Sequence, residues 1–351
     1  MDFLTSTFVR SGFSLAALFA LATVTGCKPD LDQRAAFVRG ARVLAVRAEP
    51  AEAEPRDSVK YSVLAVDENG AIDASNLGWA YCTARKPLAE LGPVNPICLS
   101  PELDLQIPLG NGAEVQGTLP NDACRNFGPE IPQAKPGEPF GRPVDPDPTG
   151  GYFQPLRLLL PSAQGLIAAL GTSRLSCGVA GAGSEDVIAF RQRYHVNENP
   201  VVAGLTLDGV DVALDAPTAV RAGARVHMRV TWPACPESDV CGDGICGPDE
   251  TSATCTQDCA QVKGCFGAER FVYFDADARR LVVRRESMRV SWFSGGGAFD
   301  VDRTGREESD SASDSENDLT VPELNGKVDN WVVLRDGRGG VAFRSFTLEV
   351  R

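Results

Sequence analysis

The cysteines of this chain, and the apolar segment that precedes them, constrain its fold more than any other feature. The chain has 351 residues and eleven cysteines. After the single basic residue Arg10, the apolar run Gly12–Thr25 is about as long as a signal-peptide core and shorter than the ~20 apolar residues that span a bilayer. The run predicts export to a compartment in which thiols oxidise.

Ten cysteines remain when Cys27, at the end of this export segment, is set aside. An even number of cysteines in an exported chain predicts that they pair as disulfides. Metal ligation is the alternative use, and it is less favoured because the thiolates would have to stay reduced. The disulfide candidates are Cys82, Cys98, Cys124, Cys177, Cys235, Cys241, Cys246, Cys255, Cys259 and Cys265.

The export segment ends in Val24-Thr25-Gly26-Cys27, and Lys28-Pro29-Asp30 begins a polar stretch directly after it. This sequence resembles the lipobox of bacterial lipoproteins. The resemblance implies that residues 1–26 are a cleaved signal peptide and that the Cys27 thiol is lipidated, with acyl chains such as palmitate. The alternative is an ordinary cleaved signal followed by a chance cysteine.

Lipidation would attach the protein to a membrane, because each buried methylene contributes ~0.8 kcal/mol. In Gram-negative lipoproteins, an Asp after the lipidated Cys causes retention at the inner membrane. Lys28 occupies that position here. The resemblance therefore implies the outer membrane, on its periplasmic or its cell-surface face, with residues 27–41 as a tether.

Composition limits the partners of the chain. The formal net charge is −13 and the sequence pI is about 4.8, so no basic surface for DNA or RNA is expected. Anionic headgroups would repel such a chain, so the lipid on Cys27 would have to provide the membrane attachment. With 43% hydrophobic residues the chain is predicted to fold, and the mature length of about 325 residues predicts two domains.

Strand-like alternation of apolar and polar residues begins at Arg42–Ala48 and continues through Ser58–Val66. After a boundary at Asn197–Pro200 the same opening recurs, at Val201–Gly209 and Val220–Trp232. We also expect a short helix over 162–170 and strands at 186–195, 270–274 and 287–293. The end of the chain, 331–350, predicts a hairpin whose turn lies at 336–340.

Short alternating strands with little helix are typical of β-sandwiches. The openings Glu54–Val59 and Ala219–Val226 resemble those of bacterial immunoglobulin-like domains of cell-envelope lipoproteins. The resemblance implies an all-β fold with two immunoglobulin-like β-sandwich domains, 42–198 and 199–351. The first domain would carry a long proline-rich insertion (98–151), and the second a small disulfide-rich insertion (235–265) and a solvated acidic loop (303–320).

The sharpest motif after the lipobox is Cys241–Cys259, with C-x4-C-x8-C-x3-C spacing, flanked by Cys235 and Cys265. It resembles the short CGDGxC repeats of secreted bacterial proteins. A segment this small cannot bury a core, so cross-links must stabilise it, by roughly 2–4 kcal/mol each. We expect Cys235 to pair with Cys265 and the inner four to pair among themselves, although six cysteines allow fifteen pairings.

The same insertion carries four acidic residues that could ligate calcium through hard oxygen atoms. The spacing differs from the twelve-residue EF-hand loop, and solvated acidic turns are the favoured alternative. No other cofactor is expected. The calcium candidates are Asp243, Asp249, Glu250 and Asp258.

Catalytic motifs are scarce. The two histidines, His195 and His227, lie at the end and on the polar face of predicted strands, and neither belongs to a His-Glu-x-x-His motif. No Gly-x-Ser-x-Gly elbow occurs in the sequence. The chain is therefore not expected to be an enzyme, and a hydrolase with an unrecognised site is the weakest hypothesis.

The leading hypothesis is a non-enzymatic envelope lipoprotein whose loops bind a protein or a polysaccharide, since recognition usually lies on loops of a stiff scaffold. The alternative is an architectural spacer without a specific ligand. Exposed aromatic residues in the loops would favour glycan binding, and the ones to inspect are Phe127, Phe140 and Phe266.

Overall fold

Alternating apolar and polar residues form strands along most of the chain in this computed structural model. The structure describes residues 35–86, 94–100, 103–134, 136–137, 141–163, 165–260 and 264–351. The predicted signal peptide 1–26, the lipidation site Cys27, most of the tether and Phe140 lie outside the described residues. β3 illustrates the pattern, because Val59 and Tyr61 are buried while Ser58 and Lys60 are exposed.

The first sandwich consists of two sheets in which most strand pairs are antiparallel. One has the order β1-β3-β4 with β7 also pairing with β3, and the other has the order β2-β9-β8-β5-β6. The strands are β1 (Arg42–Glu49), β2 (Glu52–Ala53), β3 (Ser58–Asp67), β4 (Gly70–Ala71), β5 (Gly78–Cys82), β6 (Gln106–Asn111), β7 (Glu114–Thr118), β8 (Tyr152–Ser162) and β9 (Gly165–Leu175).

The second sandwich has sheets of order β11-β10-β13-β19-β17 and β12-β21-β20-β16-β18, while β14 and β15 form a separate hairpin. Its strands are β10 (Gly204–Leu207), β11 (Val210–Asp211), β12 (Thr218–Val220), β13 (Arg225–Thr231), β14 (Arg270–Asp275), β15 (Arg280–Arg285), β16 (Met288–Ser294), β17 (Ala298–Phe299), β18 (Arg303–Arg306), β19 (Asp314–Thr320), β20 (Gly326–Asp336) and β21 (Val341–Val350).

Both sandwiches have the same strand arrangement. In each, a short early strand pairs in parallel with the last strand, β2 with β9 and β12 with β21. The opposite sheets also correspond, with β1-β3-β7 matching β10-β13-β19. This two-sheet arrangement is that of immunoglobulin-like domains, so the predicted all-β, immunoglobulin-like fold is confirmed.

Each sandwich has its own apolar core, and a third cluster joins them. Tyr61 and Trp79 lie in the first core, and Trp292 lies in the second. The third cluster packs Leu44 of β1 against Trp331 of β20. Residues Ala35–Arg351 consequently form one compact unit.

Helices are short and few among the described residues. They are α1 (Ala123–Phe127), α2 (Ser184–Arg193) and α3 (Thr256–Cys259), with 3-10 turns at Pro96–Leu99 and Leu103–Leu105.

Two local expectations are wrong. Residues 165–175 form strand β9 instead of a helix over 162–170, because they pair in continuous register with β8. Residues 184–193 form helix α2 instead of a strand at 186–195. Helix-compatible charges explain this result, since Glu185 and Asp186 lie in the first turn and Arg191 and Arg193 in the last.

The proline-rich insertion is shorter than 98–151. Residues 106–118 form β6 and β7, which belong to the two sheets of the first sandwich. Pro108 is tolerated in β6 because that strand lies at a sheet edge, where one backbone N–H is not needed for pairing.

The acidic loop is also shorter than 303–320, because both of its ends are strands. β19 buries Ser315, Asn317 and Leu319 and turns its acidic residues outward. There Glu316 and Asp318 lie opposite Arg229 and His227 of β13. Opposite charges on facing strands stabilise the pairing, so only residues 307–313 connect the strands as a loop.

Candidate binding sites

A cavity of about 690 Å³ lies where the connections of the two sandwiches meet. Its walls come from the end of β9, helix α2, strand β14 and the segment 145–152. That segment turns around Asp147, whose carboxylate accepts hydrogen bonds from the backbone N–H groups of Thr149 (2.9 Å) and Gly151 (2.8 Å). Arg174 of β9 holds the turn by donating to the Thr149 hydroxyl at 2.8 Å.

Three partly buried aromatic side chains line the cavity. Phe190 and Tyr194 stack with ring centroids 4.6 Å apart, as their four-residue spacing at the end of α2 allows. Tyr273 of β14 faces Gly150, where an added Cβ would lie 3.2 Å from the ring. These three rings are only partly buried, so they can contact a ligand.

Tyr152 adds a buried polar group to the cavity wall. Its hydroxyl has no hydrogen-bond partner among the described residues. Burial, together with the nearby carboxylates of Asp145 and Asp147, raises the pKa of Tyr152. The phenol therefore stays neutral and can both donate and accept a hydrogen bond.

The floor of the cavity is a buried ion pair. Arg174 Nε donates to Glu52 Oε2 at 3.0 Å, and both side chains are 2% exposed. Glu52 also accepts hydrogen bonds from the Tyr194 hydroxyl (2.7 Å) and the Asn197 backbone (3.0 Å). Burial opposes ionisation, but the guanidiniums of Arg174 and Arg338 and these donors outweigh it, so the pKa of Glu52 is lowered.

A second buried cation links this floor to the other sandwich. Arg338, in the β20–β21 turn, donates to Glu286 Oε1 at 2.6 Å and to Glu269 Oε2 at 2.7 Å. It also donates to the His195 carbonyl at 2.9 Å, and its own carbonyl accepts from Arg174 at 3.3 Å. The three ion pairs of Arg174 and Arg338 thus form one network that fixes the sandwiches against each other.

Burial opposes ionisation of the other acids of this network as it does that of Glu52, but here it outweighs the attraction of the guanidinium. It raises the pKa of Glu286 well above the ordinary value, and the neighbouring carboxylate of Asp336 adds to the effect while Arg338 opposes it. Burial likewise raises the pKa of Glu269. The charged groups of this network are therefore paired with one another and stabilise the fold.

All ten disulfide candidates are paired in the structure. The first sandwich has Cys82–Cys98 and Cys124–Cys177, and the latter bond lies beside the cavity. In the cysteine-rich insertion Cys235 pairs with Cys265, the pairing expected from the sequence. The four inner cysteines pair as Cys241–Cys255 and Cys246–Cys259. We call residues 235–265 the knot.

Only two of the four calcium candidates come together. Glu250 and Asp258 are buried, and a carboxylate oxygen of each lies within 4.8 Å of the other. Asp243 instead accepts a hydrogen bond from the Ile245 backbone at 2.8 Å. Asp249 pairs with Arg193 of α2 at 2.6 Å. The predicted set of four ligands is therefore not assembled.

Of the aromatic residues singled out in the loops, neither of the two that the structure describes lines the cavity. Phe127 packs in the core of the first sandwich, while Phe266 is 42% exposed. The sequence analysis missed Phe190, Tyr194 and Tyr273. The four-residue spacing of the first two was the available signal, and it was hidden by the expectation of a strand there.

The fold defines this chain as an all-β protein of two immunoglobulin-like sandwiches with disulfide cross-links. No helix among the described residues is both long and apolar enough to cross a bilayer. Neither family models nor curated proteins match this sequence.

Solved structures align with the chain only distantly. Dimeric latent PorU from Porphyromonas gingivalis has 10% identity and a TM-score of 0.20, over 90% of this chain and 24% of that one. The D00-D0 domain of Intimin has 10% identity and a TM-score of 0.20, over 87% and 99%. The adhesin InvE of Yersinia pseudotuberculosis has 9% identity and a TM-score of 0.19, over 88% and 58%. Likenesses this distant carry no argument about function.

Proposed function

We propose that this chain is a non-enzymatic lipoprotein of the Gram-negative outer membrane, anchored through Cys27, which binds an envelope polysaccharide in the cavity between its sandwiches. The observation that carries the proposal is the mixture of groups lining the cavity. Partly exposed aromatic rings offer flat apolar faces for sugar C–H groups, and carboxylates and a hydroxyl offer hydrogen bonds to sugar hydroxyls. These groups belong to Phe190, Tyr194, Tyr273, Glu54, Glu130, Asp145 and Tyr152.

The charge of the cavity is compatible with a neutral sugar chain. Glu54, Glu130 and Asp145 are exposed carboxylates at its edge, and Arg191 is the exposed cation there. Polyanions would meet this acidic edge unfavourably, as they would the net charge of −13. A protein segment is the competing ligand, and binding assays distinguish the two.

The buried carboxylate at the cavity floor is unsuited to act as a general base, which favours binding over catalysis in this proposal. Glu52 accepts hydrogen bonds from Arg174, Tyr194, Asn197 and the Ser176 hydroxyl. A general base needs a free lone pair and a pKa near the working pH. The lowered pKa of Glu52 is the opposite of that requirement.

The pairing of ten cysteines supports the anchor. The ten cysteines in the described part of the chain all pair with one another, so none of them is available to pair with Cys27. Metabolic labelling with palmitate should therefore label the wild-type protein and not the Cys27→Ala variant. Unlabelled wild-type protein would remove the anchor from the proposal.

The binding site is tested with purified, oxidised Cys27→Ala protein and neutral polysaccharide fractions of the envelope. Tyr273→Ala and Phe190→Ala should each weaken the affinity by about tenfold, the effect of losing a contact of ~1.4 kcal/mol. Phe266→Ala is the matched control, because this exposed aromatic does not line the cavity. Equal affinities for the three variants would place the ligand elsewhere, and capture of protein alone would favour a protein partner.

A spacer role is the second candidate, and the rigid junction favours it. The apolar cluster around Leu44 and Trp331 and the buried Arg338 network fix the two sandwiches as one unit. Such a unit could hold another component away from the membrane without a ligand of its own. Absence of binding to every envelope fraction would support this role over recognition.

A further inference from the structure

We infer that the knot binds one calcium ion, with the carboxylates of Glu250 and Asp258 as its protein ligands. Neither ligand lines the cavity, so the proposal does not rest on a ligand bound there. It also differs from the four-residue set that the sequence suggested, because Asp243 and Asp249 have other partners.

The first argument is the proximity of two buried acids. Glu250 is 5% exposed and Asp258 is 4% exposed, and their ligand oxygens lie within 4.8 Å. Neither forms an ion pair with a lysine or arginine in the described part of the chain. Two carboxylates this close are costly to bury unless a cation or a proton neutralises them.

The second argument is an unsatisfied atom. Oε2 of Glu250 accepts a hydrogen bond from the Gly247 backbone at 3.0 Å. Oε1 of the same carboxylate is buried and has no hydrogen-bond partner among the described residues. Buried polar atoms without a partner are rare because each forfeits its hydration, so this oxygen points to a bound ligand.

The backbone around Asp258 is shaped to hold its carboxylate in place. The N–H groups of Gly242 and Gly244 both donate to it, the second at 3.1 Å. Both glycines have positive φ, 105° and 85°, a conformation that side chains disfavour. The carboxylate is therefore oriented before an ion binds, and each of its oxygens retains a lone pair for a metal.

The donor set selects calcium over zinc. Carboxylate oxygens are hard ligands, and calcium accepts water molecules for the rest of its coordination. The nearby sulfurs are not thiolates, because Cys241 and Cys255 are joined in a disulfide. With two carboxylates the affinity should fall in the 10⁻⁴–10⁻³ M range of extracellular calcium modules.

The test uses oxidised full-length Cys27→Ala protein, stripped with a chelator and titrated with CaCl₂ by calorimetry. One ion should bind with a Kd on the order of 10⁻⁴–10⁻³ M. Glu250→Gln and Asp258→Asn should each weaken binding by more than about tenfold, the scale on which even outer-sphere partners act. Asp243→Asn and Asp249→Asn are the matched controls and should bind as the parent does.

Two results would overturn the proposal. One is the absence of heat at millimolar CaCl₂, a concentration at which the proposed site should be occupied. The other is loss of binding in the Asp243 or Asp249 variants with retention in the Glu250 variant. Disulfide mapping without reduction checks that each variant has the parental cross-links.

A measurement on the parent protein alone completes the test, in case a variant forms other disulfides. Calcium should slow hydrogen exchange of the backbone amides in residues 241–259, which include the Gly242, Gly244 and Gly247 donors. Exchange in this peptide that does not change with calcium would refute the site.

Discussion

Replacing Arg338 with methionine should destabilise the protein more than any exposed charge substitution. The Arg338 side chain is 1% exposed and is ion-paired with Glu269 and Glu286. Its guanidinium also lies 4.9 Å from the centroid of the Phe271 ring. Methionine would retain the apolar contact with the ring and remove both ion pairs, together with the hydrogen bond to the His195 carbonyl.

The expected loss follows from what the substitution leaves behind. Removing one partner of a buried ion pair costs about 3–5 kcal/mol, because the remaining charge is buried without compensation. Burial already raises the pKa of Glu269 and of Glu286, so both can take up a proton in the variant. Protonation limits the cost, and we therefore expect the lower end, about 3 kcal/mol of unfolding free energy.

Urea unfolding at pH 7, followed by tryptophan fluorescence in oxidised Cys27→Ala protein, measures this loss. The matched control is Arg225→Met, whose arginine pairs with Asp300 and Asp318 but has a 60% exposed side chain. Exposed pairs contribute less than about 1 kcal/mol. If both variants lost the same free energy, the Arg338 network would contribute no more than a surface pair and the reasoning would fail.

Two further predictions concern Glu286 and the Cys124–Cys177 disulfide. Burial and then Asp336 raise the pKa of Glu286 above its ordinary 4.5. The contribution of Glu286 to stability is therefore fully present below pH 4.5. It declines as the pH rises through the folded-state pKa. Urea unfolding from pH 4.5 upward should show a steeper decline in the parent than in Glu286→Gln, in which Glu269 and Asp336 still titrate, and parallel profiles would contradict it. Replacing Cys124 and Cys177 with alanine opens a loop of 53 residues, which should cost about 4 kcal/mol by loop entropy. An unchanged urea midpoint would contradict this.

The sequence predicts the strands best where one face is buried and the other exposed. β13 and the β20–β21 hairpin have this pattern, and the structure confirms both. The alternation is a direct consequence of side chains pointing to opposite faces of a sheet. The fold class could therefore be predicted without any relative, from strands and turns alone.

Local patterns fail where tertiary partners decide the outcome. The acidic residues of β19 predict a solvated loop until the basic face of β13 is placed opposite them. Pro108 predicts an irregular segment until β6 is known to be an edge strand. In α2 the charge order along the segment outweighed a strand-like run of apolar residues. The first two errors reflect partners that are distant in sequence, whereas the third reflects the order of charges within the segment itself.

The two candidate sites differ in how far apart their residues lie in the sequence. Glu250 and Asp258 lie eight positions apart in one short motif, so both could be predicted from the sequence as calcium ligands. The sequence could not show that Asp243 and Asp249 are not ligands. The cavity joins residues from Glu52 to Ala276. No local periodicity relates such distant residues, and their proximity follows only from the packing of two sandwiches.

The differences between the sandwiches indicate where recognition should lie. Their strand orders correspond, but 119–151 separates β7 from β8 in the first, and 232–287 separates β13 from β16 in the second. No described residue of 128–151 or 269–287 belongs to the buried core of either sandwich. Both insertions nevertheless reach the cavity, through Asp145–Gly150 and Val272–Phe274. Because these stretches lie outside both apolar cores and meet at the cavity, we expect recognition there, although Glu269 and Glu286 of the second stretch also stabilise the fold through Arg338.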